Sequence, residues 1–508
     1  MADPQRTVMM AQIADAHPKL VNHDLKPVEP ARRQWGPWNF VAFWIADSFN
    51  INTWMISSSM IVGGLSWWQA WLCVWIGYAI AGCFICMTGR IGAVYHIGFP
   101  VVSRSSFGIW GSFWPVFNRA AMVLAPHLQD RNTIPNTFSE SSGTTTADWV
   151  SFFIFWFCSL PAIWFPVHTI RHLFTVKSYF VPVAGIADLA WEFVKGVMSS
   201  IANFATLIVN DPDFTRFAAK PKDALWSQFI TIPVGFAVTS FIGIVVSSAS
   251  VLIYPSEDGP IWDPLTLLER YIDDGGSGQR FGVFVIAAAF SLAQLGTNIA
   301  ANSVSAGTDM TALLPRYLNI RRGGYICAAI GLAMCPYTLL TSSNQFTLYL
   351  SSYSVFLSSI AGVMISDYYL VRKGFLDVRA LYDARSTGPY FFTYGIHWRA
   401  YAAYISGILI NVVGFAGAIG RDVPIGAVYL YNVNFFGGFI VSSGVYWGLC
   451  TAFPIPATSD KWMEVGNEMD EVHVAYNYSS QDRDEESGKM GYDDDAGDGM
   501  TKTKVPSL

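Results

Sequence analysis

The sequence predicts an all-α polytopic membrane protein, and three observations carry that prediction. Charged residues make up 13% of the 508 positions against 52% hydrophobic, about half the charge density of an average soluble domain. Apolar stretches of about 20 residues, long enough for a helix to cross a bilayer, recur along the chain. The charge that is present is also concentrated: residues 460–508 hold 13 acidic and five basic side chains, so the formal net charge of −6 describes the end of the chain and not its body. The near-neutral body gives no electrostatic case for nucleic acid. Seven Cys scattered through apolar runs argue against a disulfide framework. Cys83-x-x-Cys86 lies in an apolar helix, which favours packing over a metal or redox role.

Three regions follow in order. Residues 1–38 are polar, lack the apolar core of a signal peptide, and read as a cytoplasmic segment. Residues 39–453 form the transmembrane domain in contact with the lipid bilayer. Its clear spans are 40–65, 67–87, 149–167, 229–253, 281–301, 324–340, 348–371, 400–419 and 435–453. Two weaker segments are 107–126, which contains Asn118 and Arg119, and 174–209. Residues 454–508 combine low hydrophobicity with high charge, the composition of a disordered tail. Its Lys461, Lys489, Lys502 and Lys504 are accessible to ubiquitin and the endocytic machinery.

Orientation follows from Lys and Arg in short loops, which favour the cytoplasmic side. Five basic clusters are Arg90/Arg104, Arg171/Lys177, Arg216/Lys220/Lys222, Arg316/Arg321/Arg322 and Arg372/Lys373/Arg379. The loop at 254–280 is acidic and reads as external, which places both chain ends in the cytoplasm. Two crossings are then required between Lys177 and Arg216. The 38 residues between them are too few for two spans of about 20 residues and a turn.

Polar groups at membrane depth are candidate functional sites. Asp47-Ser48-Phe49-Asn50-Ile51-Asn52-Thr53 falls in mid-span, and these residue types compete with the helix backbone for hydrogen bonds. A break is expected there; the alternative is a continuous helix whose polar face packs on its neighbours. Asn203 and Asn210-Asp211-Pro212-Asp213 form a second interruption, although a cytoplasmic helix end accounts for the Asp-Pro-Asp part. In the third, Asn298 and Asn302 share a helical face, extended by Ser305 and Asp309. A carboxamide both donates and accepts, which suits the N–H/C=O edge of a heterocycle; interhelical bonding is the alternative. Interrupted first and sixth segments fit inverted-repeat transporters that bind substrate at mid-membrane. No P-loop, catalytic triad or metal cluster is present, so an ATP-driven pump, a membrane enzyme and a bound cofactor are not expected.

The motifs NHDLKPVEPARRQWGPWNF, FWIADSFNINTW, RSSFGIW, NFATLIVNDPDFTRF, AQLGTNIAANSVSAGTDMTALLP and SSIAGVMISDYYLVRKG closely resemble those of fungal Fur-type permeases in the nucleobase–cation symporter family. That family includes uracil, allantoin and uridine permeases, and the resemblance runs from about Asp24 to Asp470. It implies a LeuT-like 5+5 inverted repeat, twelve transmembrane helices by family norm, and proton-coupled uptake of a small nucleobase across the plasma membrane. Carried over by position, Asn302, with Asn298, contacts substrate from the eighth span. Phe204 takes the place of a substrate-stacking Trp in the sixth, and Asn50 and Asn52 lie in the broken first helix. Ala293, Gly296 and Thr297 align with sodium-site positions of bacterial relatives, and Gly296 replaces a hydroxyl there, which favours a proton over sodium. Asp309 completes the coupling region, and Leu350 and Tyr353 resemble the outer gate. The chain departs from the pattern in two places: the third-span Trp-x-x-x-Gln motif is absent after NRAAM, and the fifth span is shortened before DLAWEFVKGVMSS. The third and fifth spans are therefore expected to be truncated. A substrate sensor, or a nonfunctional splice or gene-model variant, is the alternative function. Nothing in the sequence sets an oligomeric state.

Overall fold

The computed structural model describes residues 19–122, 190–255, 259–273, 276–333 and 343–465. The first expected span is two helices, α1 (Pro37–Ser48) and α2 (Ile51–Val62). Pro37 sits at the first helical position, where its fixed φ and missing N–H cost nothing, and the Gly36 N–H donates to Asn39 Oδ1 at 3.0 Å. At the break Asn50 is extended. Its Oδ1 accepts from the Thr53 N–H at 2.7 Å to cap α2, while its Nδ2 donates to the Asp47 carbonyl at the end of α1. One amide thus satisfies backbone groups on both severed ends. A 29-residue helix α3 (Trp67–Tyr95) follows, opened by a capping box of Ser66 and Gln69 and closed by left-handed His96. At 1.5 Å per residue it is about 44 Å long, so it projects beyond a hydrocarbon core of about 30 Å. Short helices α4 (Phe99–Phe107) and α5 (Phe113–Met122) complete the first described segment.

The pattern of a broken helix followed by a long one then recurs. Helix α6 (residues 190–203) stops at Phe204, and α7 (Ala205–Asn210) and α8 (Pro212–Thr215) continue after it. The long partner is α9 (Pro221–Ile253). Next come α10 (Pro264–Asp273), α11 (Ser277–Thr297), a π-helical turn (Asn298–Ser303), α12 (Val304–Leu313) and α13 (Ile320–Ala333). Helix α14 (Ser343–Ser366) ends in a second π turn (Asp367–Val371), followed by α15 (Trp398–Ala418), α16 (Ile425–Tyr431) and α17 (Asn434–Ala452).

Among the described residues five helical stretches are long and apolar enough to cross a membrane: Trp67–Tyr95, Pro221–Ile253, Leu350–Val371, Trp398–Ala418 and Asn434–Ala452. They coincide with five of the expected spans. The expected span 149–167, and the places where the third and fifth spans were expected to be truncated, lie outside the described residues apart from the helix ending at Met122 and the residues from 190 onward.

The two long helices pack antiparallel: Trp71 Nε1 donates to the Ala237 carbonyl at 3.1 Å, and Cys86 Sγ to Leu225 at 3.3 Å. Gly89 and Gly92 on α3 let α8 lie directly against it, since a Cβ at either position collides with the Asp211 carboxylate or the Thr215 hydroxyl.

The basic clusters among these residues gather at one end of the bundle, under a strap formed by residues 20–35. Asn22 Nδ2 donates to Pro315 (2.6 Å) and Leu318 (2.9 Å), and Tyr382 OH to Leu25 (2.6 Å). Arg104 donates to Leu20 (3.0 Å) and Arg216 to Asp24 (2.9 Å). Residues 454–465, expected to begin a disordered tail, also lie on this end. Glu464 forms a two-point ion pair with Arg90 (2.6 and 2.7 Å) and accepts from Tyr368 OH (2.7 Å), and Trp462 packs on Tyr369. The acidity of the tail as a whole hid this short segment, whose anchors are one aromatic and one carboxylate.

Candidate substrate and coupling site

The two helix breaks face each other across buried aromatic rings. Trp44 of α1 stacks on Phe204 with centroids 5.6 Å apart and planes at 23°. Phe204 meets Tyr78 of α3 edge-on at 5.2 Å and Phe236 of α9 at 4.8 Å. All four are fully buried. Asn203 Nδ2 donates to Tyr78 OH at 3.3 Å. Asp47, three residues after Trp44 on α1, is 5% exposed. Four buried polar atoms of α1, α2 and α11 lack a partner among the described residues: Trp44 Nε1, Thr53 Oγ1, Trp54 Nε1 and Gln294 Oε1. Such orphans are uncommon in folded proteins. Asn50 is occupied with the backbone on both sides of the break, whereas Asn52 is exposed.

The polar row expected on a single face of the 293–309 helix is divided. The π turn at Asn298–Ser303 has an i→i+5 pattern, which rotates the next helical turn away from its α-helical register. Asn298 and Asn302 remain adjacent, with Asn302 Nδ2 donating to Asn298 Oδ1 at 3.0 Å, and both are exposed. Ser305 and Asp309 are buried instead. Thr297 is buried with its hydroxyl 3.5 Å from the Ala46 carbonyl, bringing the end of α11 to the end of α1. Ala293 is half-buried one turn earlier, and Gly296 adds no side-chain oxygen between them. On α14, Leu350 is buried and Tyr353 packs at the edge of the core.

Asp309 is the centre of a network that residue types alone did not disclose. Arg119 of α5 donates from Nε to Asp309 Oδ2 at 2.5 Å and from Nη2 to the Ser305 carbonyl at 2.7 Å. Its Nη1 lies 3.7 Å from Asp213 Oδ2, and its guanidinium lies over the Phe99 ring at 5.0 Å. With the Asn210 amide oriented to satisfy both ends, its oxygen accepts from Arg119 Nη1 and Ser305 Oγ, each at 2.6 Å. Arg119 had marked a poor span and Asp213 a plain helix end; both are buried, with their charged atoms 3.7 Å apart. The usable signal was the presence of opposite charges in separate apolar segments, since charges at membrane depth pair with one another.

The family model for permeases of cytosine/purines, uracil, thiamine and allantoin matches residues 27–438. The chain belongs to this permease family. A permease of Schizosaccharomyces pombe is 50% identical to it, over 88% of this chain and 82% of that one. The allantoin permease of Saccharomyces cerevisiae is 42% identical (86% and 77% covered), and the uracil permease of the same yeast is 40% identical (89% and 78%). In structure it is similar to Mhp1, a nucleobase-cation-symport-1 family transporter solved closed with bromovinylhydantoin bound. The TM-score is 0.57 over 87% of this chain and 98% of that one, at 21% identity.

This permease is therefore a multi-pass membrane transporter and not an enzyme, with the LeuT-like fold. Its paired broken helices and the long helices after them are the corresponding parts of the two repeats. In such folds substrate binds at the broken helices near mid-membrane, and here the breaks adjoin Trp44, Asp47 and Phe204.

Proposed function

We propose that this permease takes up a nucleobase or related heterocycle by proton symport across the plasma membrane, with both chain ends in the cytoplasm. Uracil and allantoin are the leading substrates, and uric acid is a further candidate. The observation that carries this is the Trp44–Phe204 stack joining the two helix breaks, a flat aromatic seat where a planar ring can insert. Phe204 has no exposed surface, so the ring enters as Trp44 and Phe204 part. Asn302 and Asn298 then exchange their mutual hydrogen bond for the donor–acceptor edge of the heterocycle. Asn50 holds the break open while Asn52 offers a polar group beside it, and Leu350 and Tyr353 close the outer side.

Proton coupling is supported by the chemistry of the aligned positions. Hard cations are held by oxygen ligands; Ala293 and Gly296 supply no side-chain oxygen, which leaves Thr297 alone among the three. Asp309, assigned to the coupling region by position, is held by Arg119 in an ion pair. The gathering of basic residues at one end supports a cytoplasmic location for that end, and the lysines of the tail sequence suit ubiquitin-directed turnover.

The test is uptake of radiolabelled uracil and allantoin by cells whose surface pool of the permease is measured in parallel. Saturable uptake of either, displaced by the unlabelled compound, is the expected result. Absence of both uptake and displacement at a normal surface level overturns the proposal.

A further inference from the structure

We propose that Asp47 is the carboxyl group that binds and releases the coupled proton, an assignment that rests on the proton symport proposed above. The case begins with the partners of the other buried acids. Asp309 is bound by Arg119 (2.5 Å), and Asp213 by Arg119 (3.7 Å) and the Phe99 N–H (2.9 Å). Asp211 accepts from Gln228 Nε2 at 3.0 Å. Asp367 is held by Arg372 (3.0 Å), Tyr446 OH (2.6 Å), and the Ser105 and Ser106 hydroxyls (3.0 and 3.1 Å). The Asp47 side chain, 5% exposed, has neither an ion-pair nor a hydrogen-bond partner among the described residues.

No cation on the elements packed around α1 relieves it. Helix α2 contains no ionisable residue, α9 none after Asp223 and α11 none after Arg280. From α3 the facing titratable group is the Tyr78 phenol, and from α6 the Asn203 amide, which bonds that phenol. Glu192 and Lys195 pair with each other at the far end of α6, and Asp211, Asp213 and Arg216 near α8 have the partners named above. The helix itself adds to the penalty: Asp47 is in the last turn of α1, at the negative end of the helix dipole. An isolated buried carboxylate at such a position is strongly disfavoured and takes up a proton instead.

Position couples that proton to the site. Asp47 lies three residues after Trp44, hence on the same side of α1, and Trp44 forms half of the stack with Phe204. The Asp47 carbonyl receives the Asn50 amide that fixes the break, and the adjacent Ala46 carbonyl receives Thr297 from α11. Any movement of the break that admits substrate therefore moves the carboxyl. On the outside a hydronium O–H bond breaks to leave water as an O–H bond forms on the Asp47 carboxylate, and the closed state carries it neutral. Opening to the inside wets the carboxyl, the O–H bond breaks to water, and the electron pair stays on the carboxylate.

Two measurements on the purified full chain in lipid nanodiscs test this. Infrared spectroscopy at neutral pH is expected to show a protonated-carboxyl band that Asp47→Asn removes and Asp309→Asn leaves. Uracil and allantoin affinity is expected to fall about tenfold per pH unit above the titration midpoint of the wild type, because proton and substrate binding are reciprocally linked, and to vary less than threefold across the same range in Asp47→Asn. A band untouched by Asp47→Asn, or an unchanged pH slope, overturns the assignment alone. Wild-type binding that ignores pH overturns proton symport and the assignment with it. Should Asp47→Asn fail to fold, Asp47→Glu is expected to shift both the band and the midpoint, and spectra and titrations identical to wild type overturn the proposal.

Discussion

Arg119 and Asp309 are 4% and 1% exposed at their side chains and bond at 2.5 Å; the pair is legible only once two distant helices meet. Asp309 stood out in the sequence because it continued a row of polar residues, whereas Arg119 looked like a flaw in an apolar segment. Nothing local links positions 190 residues apart. Removing one partner of a buried pair strands the other charge, at about 3–5 kcal/mol. Arg119→Ala is thus expected to lower the thermal midpoint of the purified permease sharply. Adding Asp309→Asn is expected to recover part of the loss, and strict additivity of the two in a fluorescence thermostability assay would contradict the pairing. Asn302 is proposed on residue chemistry as well as on the family resemblance, and the π turn separates it from the buried Ser305 and Asp309. Asn302→Ala is expected to remove the proposed substrate contact and leave a polar group unpaired, about 1–3 kcal/mol, or roughly fivefold to 150-fold in affinity. Displacement of labelled uracil or allantoin reads this out, and unchanged affinity refutes the contact.

At the scale of elements, the break at Asn50 was foreseeable because Asn, Asp, Ser and Thr crowd seven consecutive positions. The break at Phe204 carries no such cluster of its own; Asn203 alone pointed to it. Neither π turn leaves a compositional trace, since an i→i+5 turn uses the same residues as an α-helix. Asn50→Ala deletes a cap and is expected to cost about 1 kcal/mol, with a larger effect on transport than on stability because both half-helices lose the same anchor. Residues 454–465 show the opposite difficulty, a docked segment concealed at the head of an acidic stretch. Glu464→Ala removes three hydrogen bonds, two to Arg90 and one to Tyr368. Limited proteolysis is expected to cut near Trp462 much faster in that variant, and equal rates would mean that the ion pair does not hold the segment.

Across the whole molecule, five of the expected spans were readable because apolar length sets a span, whereas the sidedness of the loops, argued from Lys/Arg bias, remains part of the proposal. The site was less readable because it is assembled from α1, α3, α6, α9 and α11, whose mutual placement depends on packing such as that of Gly89 and Gly92 against the turn at Asp211–Thr215. Restoring a third-span Trp-x-x-x-Gln motif and the longer fifth span of the family pattern is expected to raise the surface signal of a C-terminally tagged permease, and an equal signal would show that the shorter form folds as well. Symport itself is best tested in proteoliposomes, which remove trafficking from the comparison. Radiolabelled uracil and allantoin are offered to vesicles containing the permease, in this form and with both segments restored, under an imposed inward proton gradient. One of the two substrates is expected to accumulate above its external concentration, to collapse to equilibrium on adding a protonophore, and to be indifferent to replacing sodium with choline. Accumulation that requires sodium, or none in either form under the proton gradient, would contradict proton-coupled nucleobase uptake.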